Sequence, residues 1–425
     1  MSTHVSRPWL AGLLLLSVTV AVGGLDPRSL HAQSEPAPLS LQTLLSEVAR
    51  RSPVLLSRQA AERAAQTHVR QAAAFDDPML MVELWQTPTT LDRLPLMVTL
   101  RQPIVWPGKL RARASVARLD EQRAQAETAL LRQSLLLQVH RSYYLLLLAH
   151  RSLLVQSQNQ QLMQVVVSSV DGRYRVGRAE MAELLDAQES LHSQQTILYE
   201  LQRQREQAEG EILALLGESS QRPLGVPSST PEPAPLPSLD ELITEALASR
   251  PELALSHANR SQAKAKGVAA RSERAPDLAV YGSFMAPLRG DMERTFTVGI
   301  QTSVPTFSLL KSSAAEQEAI AAEQQLQHEQ SQLSATITSE VRSAHLRCAT
   351  ALRHLALHQQ DLIPLSERAM QAARAGYQSG RVPLVLLLSA TQRLLDQRLA
   401  YERYLAEYGL RRAELDFSVG KGLTP

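Results

Sequence analysis

Cysteine is nearly missing from the chain: Cys348 is alone in 425 residues. That excludes a disulfide framework, a cysteine-built zinc site and lipid attachment through an N-terminal cysteine. Aromatic residues make up only 4%, too few for a compact mixed core. The abundance of Ala, Leu, Gln, Arg and Glu suits long helices instead. Charge is also lacking in the net, with 44 Lys and Arg against 42 Asp and Glu for a formal +2. The two signs are interspersed, so neither a nucleic-acid patch nor an acidic tail is expected. After Val22 no apolar run is long enough to cross a bilayer as a helix. Motifs of catalysis are missing as well. Gly108-Lys109 lacks the earlier glycine and the following hydroxyl of a phosphate-binding loop, and no Gly-x-Ser-x-Gly or His-Glu-x-x-His occurs. We therefore expect no enzyme and no cofactor. His354 and His358 lie four apart on a helical stretch, but two ligands without a third read as surface histidines. Met79, Met81 and Met97 read as wall packing rather than soft metal ligands, so no metal site is expected.

At the N-terminus, Arg7 precedes an apolar run from Trp9 to Val22, with the small residues Ala21, Gly23 and Gly24 about its end. The run falls short of the ~20 residues of a spanning helix, and the pattern is that of a secretory signal within residues 1–32, cleaved after Gly23 or Ala32. The mature protein is expected to be exported.

The chain repeats itself. "LSLQTLLSEVARRSPVLL" from Leu39 lies over "LPSLDELITEALASRPELAL" from Leu236 at an offset of 198, which carries Pro53 onto Pro251, Pro78 onto Pro276 and Val82 onto Val280. Further along, the offset is 203: Tyr174 meets Tyr377, Gly177 meets Gly380, Arg178 meets Arg381 and Gly217 meets Gly420. The reading is a tandem duplication, residues 39–217 and 238–420. Between them, residues 218–237 form a Pro/Ser-rich linker expected to be extended and exposed. Each half opens with an apolar-periodic helix, expected over Leu41–Phe75 and Leu239–Arg274. A short strand region follows, then a helix over Lys109–Asp171 or Leu309–Ala375, the first of which holds no Gly or Pro. At ~1.5 Å per residue these reach nearly 100 Å, a length that suits a coiled coil or a tube and no globular core. The Tyr-x-x-Gly-Arg phrase then interrupts the helix at the tip of a hairpin, and a return helix runs to Gly217 or Gly420.

The strand regions alternate with period two. Leu80, Val82 and Leu84 oppose Met79, Met81 and Glu83, and Leu96, Val98 and Leu100 oppose Met97, Thr99 and Arg101. In the second half Leu278, Val280 and Phe284 oppose Tyr281 and Ser283, while Phe296, Val298 and Ile300 oppose Thr295, Thr297 and Gln301. With Trp85, Trp106 and Phe307 near the ends, this is how outer-membrane barrel strands read, their apolar faces turned to lipid. A half-buried soluble hairpin shares the periodicity, but it would have no layer to pack on beside helices this long. Four strands cannot close a barrel, and open edges are not tolerated in hydrocarbon. Such strands must be donated to an oligomer.

With these residues in place, the whole mature chain resembles the TolC-like outer-membrane efflux proteins. "DDPMLMVELW" and "LRQPIVWPGKLRARASVA" look most like the heavy-metal cation branch (CzcC- and CusC-like). The resemblance implies a mainly α fold with a small β part, in which long coiled-coil hairpins form an α-barrel. Each chain would give four strands to a trimeric 12-stranded outer-membrane β-barrel. It further implies a homotrimeric exit duct in the outer membrane of a Gram-negative bacterium, its helical tunnel in the periplasm. The partners implied are outer-membrane lipid, a periplasmic adaptor (membrane fusion) protein and an inner-membrane pump of the resistance-nodulation-division type. By the same resemblance the hairpin tip narrows the tunnel, with Tyr174, Gly177, Arg178, Glu180, Glu183 and Asp186 in the first half and Tyr377, Gly380 and Arg381 in the second. Leu386 and Ser389 stand where acids would be expected, so an acidic ring would come from Glu183 and Asp186, with Glu180 nearby. A periplasmic adaptor or a structural coiled-coil envelope protein is the alternative reading.

Overall fold

A computed structural model describes residues 38–84, 94–219, 224–289, 293–304 and 306–421. The expected signal segment and Trp85 lie outside these residues. The fold is mainly α with one small antiparallel sheet, and its elements run through the same order twice. The first pass is α1 (Leu41–Arg51), α2 (Pro53–Ala72), β1 (Met79–Leu84), β2 (Leu94–Ile104), α3 (Pro107–Arg175) and α4 (Met181–Leu216). The second is α5 (Leu239–Ser249), α6 (Pro251–Ser272), β3 (Leu278–Arg289), β4 (Thr295–Thr302), α7 (Ser308–Leu357), α8 (Ile363–Gln378) and α9 (Leu384–Val419). Helix α3 has 69 residues, ~100 Å at ~1.5 Å per residue. Among the described residues no helix is long and apolar enough to cross a membrane.

Two expectations about helices need correction. The opening helix of each half is two helices, broken before Pro53 and Pro251. A proline drives the residue before it out of the helical region, and Ser52 (φ −57°, ψ 120°) and Arg250 (φ −66°, ψ 129°) are accordingly extended. The second long helix is not one α-helix either. A π-helical turn, His358–Leu362, separates α7 from α8. It lies just before Pro364, whose missing N–H and bulky ring disturb the regular ladder there.

Four glycines carry positive φ: Gly177 (72°), Gly217 (75°), Gly380 (74°) and Gly420 (79°). Each ends a helix in the left-handed conformation that costs only glycine nothing. At Gly177, for instance, its N–H reaches the Tyr174 carbonyl at 2.9 Å and the Arg178 N–H reaches the Arg173 carbonyl at 2.8 Å. The same two bonds recur at Gly380, from Gly380 to Tyr377 (3.0 Å) and from Arg381 to Gly376 (2.9 Å). These caps set where each long helix stops, and thereby where the hairpin tips lie.

From Leu224 onward the linker is extended, yet it is not simply exposed. Leu224, Gly225 and Pro227 are buried, and Leu39 exchanges backbone hydrogen bonds with Val226 (2.9 Å) and Ser228 (3.0 Å). The buried Tyr143 hydroxyl accepts from the Ser229 N–H at 2.8 Å, and the Tyr408 hydroxyl accepts from the Ala234 N–H at 3.0 Å. Proline-rich chain cannot satisfy its own backbone, so two buried tyrosines serve as its partners. Beneath it, Leu44, Leu45, Val48 and Leu55 of α1 and α2 join Val139, Tyr143, Leu146 and Ile212 in one apolar core.

The sheet order is β1-β2-β3-β4, all antiparallel. Its junction with the helices is ionic. Lys109, 3% exposed, reaches Asp277 at 2.8 Å and Glu273 at 3.5 Å. Arg113 also reaches Glu273, at 3.2 Å, and the Trp106 N–H donates to Asp277 Oδ1 at 3.3 Å. Lys109 thus ties the start of α3 to the end of α6 and the entry of β3. Replacing it by methionine would leave two carboxylates facing each other without their buried cation. Because both acids are 42% exposed, we expect a loss on the order of 2–3 kcal/mol, below that of a fully buried pair. It would be measured as a lowered Tm of the detergent-solubilised protein, with partial recovery in the Glu273→Gln/Asp277→Asn background. An unchanged Tm would show that the cluster is ornamental.

Candidate functional site

Two features of the fold are candidates for a functional site: the sheet and the paired hairpin tips. Cross-strand register aligns the apolar positions in rows. Val82 pairs with Val98, Val98 with Phe284 and Phe284 with Phe296. The next rows are Leu80-Leu100-Gly282-Val298 and Leu84-Leu96-Ala286, with Val280 opposite Ile300. Paired residues share a face, so all twelve expected apolar positions, Phe284 included, lie on one side. That side is uncovered: Leu80 is 67% exposed, Phe296 70% and Ile300 75%. The opposite face carries Met81-Thr99-Ser283-Thr297 and Glu83-Met97-Met285-Thr295. Met81 and Met97 therefore lie in rows with Thr, Ser and Glu, and Met79 in the row Met79-Arg101-Tyr281-Gly299. Strand β2 spans 11 residues, ~36 Å of chain at ~3.3 Å each, which with a ~40° tilt matches an apolar band ~25 Å tall. Trp106 and Phe307 are both exposed at the helical end of the sheet.

At the tips, α3 turns through Gly177 into α4, and α8 turns through Gly380 into α9. Val166, Val170, Leu184 and Ala187 of the first hairpin pack with Ala373, Tyr377, Leu384 and Leu387 of the second. Tyr377, 2% exposed, crosses between them. Its hydroxyl donates to Glu183 Oε2 at 3.0 Å, and the Arg173 guanidinium lies 4.4 Å from its ring centroid. Arg173 also donates to the Tyr377 carbonyl and, at 3.1 Å, to the Arg178 carbonyl. Burial, reinforced by the bond to Glu183, pushes the Tyr377 hydroxyl up to about 12, so it holds its proton at any ordinary pH.

The two halves of the repeated phrase thus differ. Tyr174 is 36% exposed, and its hydroxyl has no hydrogen-bond partner among the described residues. Glu180, Asp186, Arg178 and Arg381 are exposed and form no ion pair among the described residues. Glu183, by contrast, is half-buried and occupied by Tyr377. Leu386 and Ser389 are exposed. Arg173 was not singled out from the sequence, although the 203 offset sets it against Gly376, immediately before a tyrosine that both halves share. Above the tip a groove of about 440 Å³ is lined by Asn159, Asp186, Glu189, Gln194 and Ser389 among others. Inside it Gln194 Oε1 accepts from Gln156 and, at 3.1 Å, from Asn159.

His354 and His358 flank one ring. His354 stacks on Tyr404 with centroids 4.7 Å apart, and His358 tilts over it at 4.9 Å. His358 Nδ1 donates to the His354 carbonyl at 2.9 Å. Among the described residues no three His, Cys, Asp or Glu side chains are grouped to hold a metal.

The sequence matches the model of the outer membrane efflux protein family over residues 44–218 and 242–421. Among curated proteins none matches the chain by sequence. In solved structures, the outer-membrane channel OprN is similar with 20% identity and a TM-score of 0.75, covering 91% of each chain. CusC is similar with 18% identity and a TM-score of 0.76, covering 93% of this chain and 96% of its own. VceC, the outer membrane protein of Vibrio cholerae, has 17% identity and a TM-score of 0.73 over 89% and 96%. At such identities the likeness is one of fold. The family match covers most of the chain, and the chain belongs to the outer membrane efflux protein family, as an outer-membrane component of efflux.

Proposed function

We propose that this outer membrane efflux protein works as a homotrimeric exit duct, fed from the periplasm by an adaptor protein and an inner-membrane pump of the resistance-nodulation-division type. It performs no chemistry on its cargo. One observation carries the reading: a four-stranded sheet with an uncovered apolar face and two unpaired edges, β1 and β4. In hydrocarbon every edge N–H and C=O must be satisfied, and the smallest closed barrels have ~8 strands. Two copies would reach that minimum. Three copies are what the family resemblance implies, and they would close a barrel of 12 strands. On this reading Leu80, Val98 and Ile300 meet lipid, Thr297 meets water, and the hairpins form the periplasmic tunnel. Metal cations are the cargo we assign, supported by the stretch from Leu100 to Ala117 and by the exposed acids Glu180 and Asp186 at the tip, since carboxylates around a narrow pore favour cations.

The assembly is tested by native mass spectrometry of the detergent-extracted protein, where we expect three times the chain mass. A monodisperse monomer without detergent would overturn the reading. Loss of metal resistance, but not of drug resistance, on deletion would support the cation cargo, and the reverse would remove it.

A further inference from the structure

The duplication carries information about a contact that a single chain cannot display. Within one chain, hairpin one meets hairpin two through Tyr377, held by Arg173 above its ring and by Glu183 at its hydroxyl. A closed ring of copies alternates hairpins one and two, so each such joint has a counterpart in which hairpin two meets hairpin one of the next copy. At the 203 offset, Tyr174 takes the place of Tyr377, while Gly376 and Leu386 take the places of Arg173 and Glu183. The counterpart therefore has its tyrosine but neither the cation over the ring nor the carboxylate at the hydroxyl. Its surface is apolar instead: Tyr174 and Leu386 are exposed, as are Val176, Met181, Leu185 and Val385.

We infer that the tunnel tip is built from two alternating kinds of joint, a polar latch inside each copy and an apolar joint between copies in which Leu386 packs against Tyr174 of the next copy. Widening the aperture then requires both kinds of joint to give. This rests on the ring assembly proposed above.

Cross-linking in a Cys348→Ala background tests it. Tyr174→Cys with Leu386→Cys should, on oxidation of the purified assembly, give covalent dimers and trimers on a denaturing non-reducing gel. Glu183→Cys with Tyr377→Cys should consume its thiols while the chain keeps single-chain mass. A three-fold native mass with no link between chains at 174/386, or with links between chains at 183/377, overturns the joint assignment and leaves the assembly standing. A single-chain native mass removes both. Independently, Leu386→Glu supplies the missing acceptor for Tyr174 of the next copy. It should lower single-channel conductance about five-fold, the factor one ordinary hydrogen bond is worth, and adding Tyr174→Phe should restore it. Unchanged or raised conductance in Leu386→Glu overturns the proposal.

Discussion

Val98→Arg should abolish the protein from the outer membrane. Val98 lies in the row Val82-Val98-Phe284-Phe296, within the apolar face of the sheet. An arginine facing lipid at mid-bilayer costs ~2–4 kcal/mol, and a ring of copies meets that cost once per copy. Marginal stability cannot absorb several such losses. The control is Thr297→Arg, one face over, where an exposed side chain meets water on our reading. Thr99 shares that face but is a poorer control, because it is 8% exposed, set in its row between Met81 and Ser283. Heat-modifiable assembly in outer-membrane fractions is the measurement. We expect none for Val98→Arg and near-parental amounts for Thr297→Arg. Equal loss in both would mean that the faces are assigned wrongly or that no barrel forms.

Tyr377→Phe should raise the closed channel's conductance at least ten-fold. The hydroxyl's bond is to a carboxylate, and such bonds contribute ~1.5–3 kcal/mol, where each ~1.4 kcal/mol is a factor of ten in the closed–open balance. Glu183, half-buried, would also lose its donor. Tyr174→Phe should stay within two-fold, since its hydroxyl bonds to nothing among the described residues. Planar-bilayer recordings of the two single variants decide the matter, and equal effects would show that the tip is a turn and not a latch. The sign with pH follows from Tyr377. Its pKa in the fold is raised to about 12 from the ~10 of a free tyrosine. Its contribution is therefore whole below pH ~10 and lost as pH rises through about 12.

Much of this was legible in the chain because its signals are local. Period-two alternation put Val82, Val98, Phe296 and Ile300 on one face, and glycine at a helix end marked both tips. The break before Pro53 follows from an equally local rule, that the residue before a proline leaves the helical region, although Leu41–Phe75 reads as one helix. What was not legible depends on residues far apart. Nothing near Lys109 announces Asp277, 168 positions on. Nothing in either Tyr-x-x-Gly-Arg phrase says that one tyrosine is buried and the other exposed. The answer lies in Arg173 and Glu183, which matter only once the other hairpin is beside them.

The π-helical turn at His358–Leu362 acts as a phase corrector. The second descending arm runs 71 residues from Ser308 to Gln378 against the 69 of α3, and the π turn accommodates one extra residue. In an unbroken α-helix that surplus would swing everything beyond it by ~100° and lower it by ~1.5 Å. Tyr377 would then face away from Glu183. One wide turn takes up the surplus residue and returns the lower arm to its azimuth. An insertion that would have scrambled one half of a duplicated tube is confined to five residues, and the two arms still arrive at the tip in step.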